Sequence, residues 1–371
     1  MKNILITGGA GFIGSHLCDE LLSSGYKVRV LDSLNPQVHG EEGLRPSYLS
    51  ADVDLIEGDI RDKNLLPRVV KEADVIYHFA SLVGVGQSMY QIDDYTDVNV
   101  HGTANLLETI IKHPVKKLIV ASSMSIYGEG MYEDTQGNKV QGKERPLPQL
   151  KEKDWELFDG HKNVLKPVPT PESKVPSLAS VYALTKYDQE RLCLMIGSAY
   201  NIPACALRFF NVYGTRQALS NPYTGVMAIF SSRLLNDKAP LIFEDGAQRR
   251  DFIHVTDVAK ACRLAMEVSE STGEVFNIGS GKAYTVKSLA ELLAKTMGKS
   301  HISPKITGDY RVGDIRHCFA DISKAKKILG FNPAVPIEKG MKELVHWLEN
   351  QLAVDHVEEA AKELKTRGLT V

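Results

Sequence analysis

The stretch KNILITGGAGFIG, residues 2–14, contains the feature of this sequence that decides the fold. An apolar run of strand length ends at Gly8, glycines follow at positions 11 and 14, and an apolar helical pattern comes next. A tight turn from a strand into a helix needs glycine for its dihedral angles and for close approach of the backbone to a phosphate. The helix N-terminus then offers free N–H groups and a positive dipole to that anion. The stretch therefore predicts the pyrophosphate site of a dinucleotide.

Two aspartates follow the turn at places where strands are expected to end. Asp32 comes about twenty residues after the glycines, where a carboxylate accepts hydrogen bonds from both ribose hydroxyls. It would repel a 2′-phosphate, so NAD is favoured over NADP. Asp59, in the sequence GDI, ends the third strand, where the adenine edge is expected. Simple capping of the strand ends is the alternative interpretation of both residues.

Apolar runs of strand length alternate with helical patterns through the first half of the chain. The runs are nearly continuous, as expected for parallel strands that are covered on both faces. They lie at residues 2–7, 27–32, 53–57, 74–79, 116–121 and 203–208. Helical periodicity lies between them, at about 12–24, 62–71, 95–113 and 183–200. Repeated β-α-β units of this kind predict an α/β fold with a doubly wound parallel (Rossmann) sheet.

Beyond residue 211 the pattern changes to helices separated by short strands and turns. Helices are expected at about 225–236, 256–268, 284–297 and 337–350, with strands such as 240–243 and 274–278. This pattern predicts a smaller, mixed α/β lobe. The predicted domains are an NAD-binding domain over 1–210, a substrate-binding lobe over 211–350 and a C-terminal extension over 351–371. Residues 353–366 of the extension have the pattern of an amphipathic helix whose purpose the sequence does not indicate.

Residues 129–178 form a long stretch, rich in Lys, Glu, Pro and Gly, with little periodicity. Long loops inside compact enzymes are uncommon and are usually functional or mobile. The stretch is either an excursion over the surface or a lid over a substrate. Its position in the chain, and not its composition, favours the lid.

Composition and charge exclude several classes of protein. The formal net charge of the 371 residues is -2, so no bulk field draws the chain toward nucleic acid or anionic lipid. The five cysteines lie far apart, which argues against a disulfide framework and against a zinc site. No run approaches the ~18 consecutive apolar residues that a membrane span requires. We therefore expect a cytoplasmic protein without a metal, nucleic-acid or membrane partner.

Tyr182 and Lys186 lie four residues apart, on one face of the expected helix 183–200. A lysine ammonium near a phenol favours the phenolate and lowers the pKa of the tyrosine. A tyrosine tuned in this way is a general base for an alcohol that is being oxidised. Ser123 follows the fifth strand, where its hydroxyl could bind the same substrate oxygen. The alternative is an ordinary helical pair, but the combination of the three residues favours catalysis.

The motifs now resemble those of a known family, the extended short-chain dehydrogenase/reductases, in their branch of nucleotide-sugar epimerases and dehydratases. The resemblance covers about residues 1–350. Its motifs, in chain order, are TGGAGFIG, GDIRD, YHFAS, VNVHGT, ASSMSIYG, YALTK, RFFNVYG, RRDFIHVTDVA and GDIRHCFAD. Within the branch, SSMSIYGEG, SVYALTKYDQER and NVYGTRQALSNPYTG look closest to dTDP-L-rhamnose 4-epimerases, and then to UDP-glucose and UDP-glucuronate 4-epimerases.

The resemblance implies a role for each site residue. Tyr182 is then the catalytic base, Lys186 its partner, and Ser123 the hydroxyl on the reacting oxygen, while Asn99 supports the site from a neighbouring helix. Implied NAD contacts are Gly8, Gly11, Phe12, Ile13, Gly14, Asp32, Asp59, Ile60, Ala80, Asn99, Tyr182 and Lys186. Implied contacts to the sugar diphosphate are Val83, Gly84, Ser123, Met124, Ser125, Asn211, Arg250 and Arg311. Arginine suits this task because its planar fork meets phosphate oxygens in pairs, although the Arg249–Arg250 pair could also be a solvated charge patch.

Three departures from the family pattern bear on the reaction. Sugar 4,6-dehydratases carry an Asp-Glu pair where this chain has Met124 and Ser125, so elimination of water is disfavoured. The stretch from Tyr127 to Tyr182 is longer than is typical of the branch. Cys318 matches a position where some galactose epimerases carry a bulky tyrosine at the pocket gate, and its alternative reading is a small buried apolar residue.

The resemblance therefore implies transient oxidation at C4 by bound NAD and reduction from the opposite face, giving dTDP-6-deoxy-L-talose from dTDP-L-rhamnose. The alternatives are a UDP-hexose or UDP-glucuronate 4-epimerase, an NAD(H)-dependent reductase or dehydratase, and a protein that binds NAD only as a sensor. Relatives pair through the two helices near 95–113 and 183–200, so a homodimer is expected.

Overall fold

The structure is a computed structural model that describes most of the chain. The described residues are 2–221, 223, 225–311, 313–351 and 355–370. Two positions of the NVYGTRQALSNPYTG segment, 222 and 224, therefore lie outside the described residues. So do positions 352–354 and 371 of the predicted C-terminal extension.

Short strands run through the whole described chain. Their bounds are β1 Asn3–Thr7, β2 Lys27–Asp32, β3 Asp54–Glu57, β4 Val75–His78, β5 Lys117–Ser123, β6 Met131–Glu133, β7 Lys139–Gln141, β8 Lys166–Val168, β9 Ala204–Phe209, β10 Asn211–Tyr213, β11 Leu241–Ile242, β12 Arg249–Arg250, β13 Phe252–His254, β14 Val275–Ile278, β15 Tyr284–Thr285, β16 Lys305–Ile306 and β17 His317–Cys318. The six strands expected in the first half of the chain are β1, β2, β3, β4, β5 and β9.

Helices connect these strands. Their bounds are α1 Phe12–Ser23, α2 Pro36–His39, α3 Leu66–Val70, α4 Val85–Ser88, α5 Ile92–Tyr95, α6 Gly102–Lys112, α7 Leu147–Lys151, α8 Val181–Ala199, α9 Val226–Leu235, α10 Val255–Glu267, α11 Val286–Thr296, α12 Ser323–Leu329, α13 Ile337–Leu348 and α14 Val357–Thr366. A π-helical stretch, Thr96–His101, joins α5 to α6, so the segment expected as one helix near 95–113 is irregular at its start. None of the helices among the described residues is long and apolar enough to cross a membrane.

Seven parallel strands form the large sheet, and their order fixes where ligands can bind. The order is β14-β9-β5-β4-β1-β2-β3. β2 and β3 therefore lie on one side of β1, and β4, β5, β9 and β14 lie on the other. β1 pairs in parallel with β2 on one side and with β4 on the other. In open α/β sheets, ligands bind beyond the carboxyl ends of the strands at such a switch point. The predicted doubly wound parallel sheet is confirmed, and the glycine turn after β1 lies at its switch point.

Each face of the large sheet is covered by its own apolar core. On one face, α1 and α10 pack together through residues such as Leu17, Leu21 and Val258. On the other, α3, α6 and α8 contribute residues such as Val69 and Leu106. Burial on both faces explains why the strands are apolar along their whole length.

Two segments beyond residue 210 differ from their sequence-based assignment to the smaller lobe. The strand expected at 274–278 is β14, the edge strand of the large sheet, where it pairs in parallel with β9. The helix expected at 256–268 is α10, which covers that sheet. Phe276 and Ile278 are fully buried in the same core as Leu17, and this burial, not the position along the chain, decides where they pack. The division into domains itself stays a prediction.

A separate apolar core lies under the smaller lobe. It is formed mainly by α9, α11 and α13, with Phe230, Leu293 and Met341 fully buried between them. The loop before α9 and the residues after β11 border the same cleft as the carboxyl ends of β1 and β5, and its lining residues include Asn221, Phe243, Thr7 and Ser123.

The long segment 129–178 is ordered and attached to the second half of the chain. It contains the antiparallel sheet β7-β6-β8, and the Gly130 N–H donates to the His317 carbonyl at 2.8 Å. The Arg145 guanidinium lies 2.8 Å from the Glu244 carboxylate, and both side chains are almost fully buried. The segment is therefore fixed by a buried ion pair, which distinguishes it from a free surface loop.

Candidate active site

The glycine turn leaves no room for a side chain at two of its positions, Gly8 and Gly14. Gly8 has a φ of +70°, which L-residues with side chains rarely adopt. A Cβ placed on Gly14 would lie 2.6 Å from the Gly8 carbonyl oxygen and 2.6 Å from the Gly9 Cα. Helix α1 begins directly after Gly11, and Phe12 and Ile13 border the cleft with their helix N-terminus. This arrangement can hold an anionic pyrophosphate.

Asp32 caps the end of β2 and borders the cleft. One carboxylate oxygen accepts from the Ala10 N–H at 2.9 Å, and the other from the Leu34 N–H at 3.0 Å. These bonds cap the strand end and brace the glycine turn. Because each carboxylate oxygen has a second lone pair and Asp32 borders the cleft, it can also accept from ribose hydroxyls.

Asp59 is held by an ion pair at the adenine end of the cleft. Arg61 donates to both carboxylate oxygens, at 2.9 and 2.7 Å, and this hydrogen bonding lowers the pKa of Asp59. Arg61 also donates to Asp97 at 2.7 Å. Asp59 and its neighbour Ile60 both border the cleft, as expected.

The start of helix α8 places the three predicted catalytic side chains together. Ser180 caps the helix by accepting from the Ala183 N–H at 3.1 Å, and the Tyr182 N–H donates to the Ser88 hydroxyl at 3.0 Å. The Ser123 hydroxyl donates to the Ser125 hydroxyl at 3.1 Å, on the side of the cleft where Tyr182 also lies. Lys186, one turn further along, donates to Gln189 at 2.7 Å. Tyr182, Ser123 and Lys186 all border the cleft.

Burial sets the acidity of the tyrosine and the lysine. It raises the pKa of Tyr182, while the nearby Ser123 hydroxyl acts in the opposite direction. Burial also lowers the pKa of Lys186 to about 7. The expectation that Lys186 lowers the pKa of Tyr182 in the protein alone is thus wrong, because removing both groups from water favours their neutral forms.

Asn99 supports the site without bordering it. It is fully buried in the π-helical stretch, its Oδ1 accepts from the Leu82 N–H at 2.7 Å, and its Nδ2 donates to the Thr185 hydroxyl at 3.0 Å. It therefore ties the loop after β4 to α8. Among the described residues that were expected to contact cofactor or substrate, Asn99 alone does not border the cleft.

Two arginines face the cleft from the smaller lobe. Arg250 donates to the carbonyls of Arg316 at 2.8 Å and of Ile315 at 2.5 Å, which fixes its guanidinium at the wall. Arg311 pairs with Asp314 at 3.1 Å and stacks over the Phe243 ring at 5.0 Å. Arg249 is exposed and does not border the cleft, so the arginine pair is not a uniform charge patch.

Buried polar atoms near these arginines have no partner within the described protein. They are Oδ1 of Asn211 and Oε1 of Gln217 and of Gln248. All three residues border the cleft, together with the expected Val83, Gly84, Met124 and Ser125. Unpaired buried acceptors are costly unless a ligand supplies donors. The smaller-lobe side of the cleft therefore offers acceptors for the hydroxyl groups of a ligand, and its two arginines suit an anionic group.

The chain matches the family model described as the NAD dependent epimerase/dehydratase family, over residues 4–147 and 163–279. The chain belongs to this family. It is 33% identical over 356 residues to the dTDP-L-rhamnose 4-epimerase of Burkholderia thailandensis, covering 95% of this chain and 96% of that protein. A UDP-glucose 4-epimerase structure from Thermotoga maritima, with UDP-glucose, has a TM-score of 0.74 at 33% identity, covering 94% and 98% of the two chains. The UDP-glucuronic acid 4-epimerase of Bacillus cereus, with UDP-glucuronic acid and NAD, has a TM-score of 0.76 at 29% identity, covering 94% and 99%.

The cofactor of this family is NAD, and the residues of the chain fit it. The glycine turn and the start of α1 supply the anion site, while Asp32 supplies a ribose acceptor at the expected strand end. The whole cleft has a volume of about 690 Å³ and extends from Asp32 past Tyr182 to Arg311. The part on the large sheet, the predicted cofactor half, and the part on the smaller lobe, the predicted substrate half, meet at Tyr182.

Two groups of cleft residues escaped the sequence analysis. Gln37 donates to both Gln87 and Asn221 at 3.1 Å, which links three separate segments across the cleft. Helix α14, predicted as an extension of unknown purpose, borders the cleft with Val357, Ala360, Ala361 and Leu364. The amphipathic pattern of α14 was a signal for burial, but not for burial at a site.

Two expectations for the substrate side concern residues 129–178 and Cys318. No residue of 129–178 borders the described cleft, although the flanking residues Gly128 and Ala179 do, and the role of this segment as a lid stays a prediction. Cys318 is buried, lies outside the cleft and makes a weak contact of 3.8 Å with the Thr170 hydroxyl. It is therefore a small buried residue and not a pocket gate.

Proposed function

We propose that this enzyme inverts C4 of a nucleotide-activated sugar and that its substrate is dTDP-L-rhamnose, giving dTDP-6-deoxy-L-talose. The observation that carries the reaction type is the meeting of Ser123, Tyr182 and Lys186 at the boundary between the two halves of the cleft. NAD, held by the glycine turn and Asp32, would supply the acceptor and later the donor of the hydride at C4.

The protein supplies proton transfer at O4. Tyr182, in its phenolate form, accepts the O4 proton while C4 is oxidised. Lys186 has a pKa of about 7 and is therefore partly protonated near neutral pH, and only its protonated form favours that phenolate. The Ser123 hydroxyl donates to O4 as its carbonyl character develops. After the sugar turns over about its diphosphate, Tyr182 returns the proton to O4. Inversion needs no further acid or base.

The acidic residues that border the cleft argue against the rival reactions. Among the described lining residues they are Asp32, Asp59 and Asp314. Each already accepts hydrogen bonds, from the glycine turn, from Arg61 and from Arg311, respectively. Expelling water or inverting a carbon next to a carbonyl needs an acid/base pair in addition to the tyrosine. No free carboxyl group is present for that task among these residues.

The substrate proposal is supported by the similarity to the Burkholderia enzyme over almost the whole of both chains. UDP-hexoses and UDP-glucuronate are the second candidates, because solved relatives contain UDP-glucose or UDP-glucuronic acid. Arg250 and Arg311 suit the diphosphate that all these molecules share. The homodimer and the cytoplasmic location stay predictions.

The test uses purified protein without added cofactor. The protein is incubated separately with dTDP-L-rhamnose, UDP-glucose and UDP-glucuronate, and the configuration at C4 is followed by NMR. Conversion of dTDP-L-rhamnose to a mixture of C4 epimers supports the proposal. Conversion of only a UDP-sugar corrects the substrate. Activity only with stoichiometric NADH and a keto sugar would mean a reductase, and binding of NAD without any turnover would mean a sensor.

A further inference from the structure

Helix α14 is fixed at its start to the smaller lobe by buried charges. Asp355 lies 3.2 Å from Arg233 and 3.0 Å from Lys238, and Glu358 lies 2.9 Å from Arg233. The side chains of Arg233 and Asp355 are only 5% and 3% exposed. A buried pair of this kind holds its partners in place, since separating them leaves a charge without compensation.

The other end of α14 reaches the domain of the large sheet. A Cβ on Gly86 of α4 would lie 3.3 Å from Leu364, so the leucine packs directly on that helix. The guanidinium of Arg367 lies 4.3 Å from the centre of the Tyr90 ring. Thr370 forms a β-bridge with Arg311 of the smaller lobe. Helix α14 therefore connects both sides of the cleft.

The face of α14 toward the cleft is apolar. Val357, Ala360, Ala361 and Leu364 border it, at the spacing of one helix face, and none of them can donate or accept a side-chain hydrogen bond. The Leu364 end packs on α4, which also carries Ser88, and the Ser88 hydroxyl accepts from the Tyr182 N–H at 3.0 Å. Through α4, this end of the wall is connected to the start of α8, which carries Tyr182.

We propose that α14 is a specificity-determining wall that contacts the sugar of the nucleotide sugar and selects an uncharged one. The identity of that sugar as a 6-deoxy sugar rests on the proposed function. A carboxylate pressed against aliphatic side chains loses hydration without a new hydrogen bond, whereas a methyl or hydroxymethyl group loses much less. The two alanines leave the space that the sugar occupies.

The preference of the wall for an uncharged sugar is tested with a matched pair of ligands, UDP-glucose and UDP-glucuronate, which differ only at C6. Calorimetry on the holoenzyme should show that wild type prefers UDP-glucose. Ala361→Lys adds a cation to the wall and should shift the ratio of the two dissociation constants toward UDP-glucuronate by about tenfold. Thr366→Lys adds the same charge on the exposed side of the same helix and should leave the ratio unchanged.

The size of the wall is tested independently with Ala361→Trp. We expect KM for the nucleotide sugar that wild type converts to rise about tenfold or more, with kcat and NAD content changing much less. Lys362→Trp, on an exposed position of α14, is the control, and thermal unfolding of both variants shows that each is folded.

Any one of three results would contradict the proposed role of α14 in sugar specificity. They are an unchanged ratio of the two dissociation constants in Ala361→Lys, a wild-type preference for UDP-glucuronate, and equal KM values in Ala361→Trp and its control. The two proposals fail separately. If wild type does not convert dTDP-L-rhamnose but the Ala361 variants still change binding of the two UDP-sugars as expected, the proposed substrate is wrong and the wall stands. If dTDP-L-rhamnose is converted and the Ala361 variants match their controls, only the wall is wrong.

Discussion

The cofactor half and the substrate half of the cleft are built in different ways. The cofactor half consists of turns that directly follow β1, β2, β3 and β4 of the large sheet, so each group lies within a few residues of a strand end. The substrate half takes single residues from segments as far apart as Val83, Asn211, Arg311 and Leu364. A local turn creates its binding geometry by itself, while the substrate half exists only after distant segments have packed.

The two halves also use different chemistry toward their ligands. The cofactor half relies on backbone N–H groups and on carboxylates that accept hydrogen bonds, such as Asp32. The substrate half presents two guanidinium groups, unpaired amide oxygens such as that of Asn211, and an apolar wall. A variant in one half should therefore weaken binding of the ligand of that half and leave binding by the other half unchanged. A variant of Tyr182, at the boundary, should instead slow the reaction while both ligands still bind.

Tyr182→Phe should abolish turnover while both halves still bind. Without the phenol oxygen, O4 has no proton acceptor, and a general base contributes about 100-fold to 10,000-fold to the rate. We expect kcat to fall by that factor, measured by NMR at C4, with NAD content and nucleotide-sugar affinity within about threefold of wild type. Tyr187→Phe, five residues further along α8 at a position that does not border the cleft, should retain activity. Near-normal turnover by Tyr182→Phe would contradict the assigned base.

Gly14→Ala should damage the cofactor half alone. Its Cβ would meet backbone atoms of Gly8 and Gly9 at 2.6 Å, which forces the turn to open. Overpacking of this kind costs about 1–3 kcal/mol. We expect the NAD content of the purified protein, measured by absorbance after denaturation, to fall severalfold or more. Gly160→Ala is the control, because a Cβ there meets nothing within 4 Å. Equal NAD content in the two variants would refute the assigned role of the turn.

Arg250→Ala should damage the substrate half alone. Hydrogen bonds to charged groups contribute about 1.5–3 kcal/mol, so KM should rise roughly ten- to a hundredfold. NAD content should not change. Arg249→Ala removes the neighbouring arginine, which is exposed and outside the cleft, and should leave KM near the wild-type value. If steady-state kinetics show the same KM in both variants, Arg250 does not hold the diphosphate.

The pH dependence of the free energy of unfolding tests whether Lys186 is buried in the cofactor half, and we expect its effect to be the smallest of the four. Burial lowers its pKa from 10.5 to about 7. Between these values the unfolded chain binds a proton that the folded chain has lost, so this group makes stability rise with pH, by up to about 1.4 kcal/mol for each pH unit. In protein stripped of NAD, urea unfolding at pH 7 and pH 9.5 should show wild type gaining stability relative to Lys186→Met. If the difference in free energy of unfolding between wild type and Lys186→Met is the same at both pH values, Lys186 is exposed to solvent in the folded protein.

The same contrast explains what could be predicted from the sequence. The parallel sheet, the glycine turn and Asp32 were predictable because strand burial and turn geometry are local properties of consecutive residues. Tyr182 and Lys186 share one helix turn, so their pairing was predictable too. Their acidity was not, because it depends on burial by segments from elsewhere in the chain.

Long-range packing accounts for the expectations that failed. The pattern of β14 indicates a buried strand but cannot say which sheet edge it joins. The attachment of segment 129–178 was not predictable either, because its ion pairs, such as Arg145 with Glu244, join residues that are far apart in the chain. An amphipathic helix such as α14 must bury one face, but only the folded chain shows that this face borders the cleft.

The most direct test of the reaction follows the hydrogen at C4. The purified protein, without added cofactor, is given dTDP-L-rhamnose that carries deuterium at C4, and the products are examined by NMR. Transient oxidation with return of the same hydrogen predicts the C4 epimer with deuterium still at the inverted carbon. Absence of the epimer, or an inverted C4 that has lost its deuterium to water, would contradict the account.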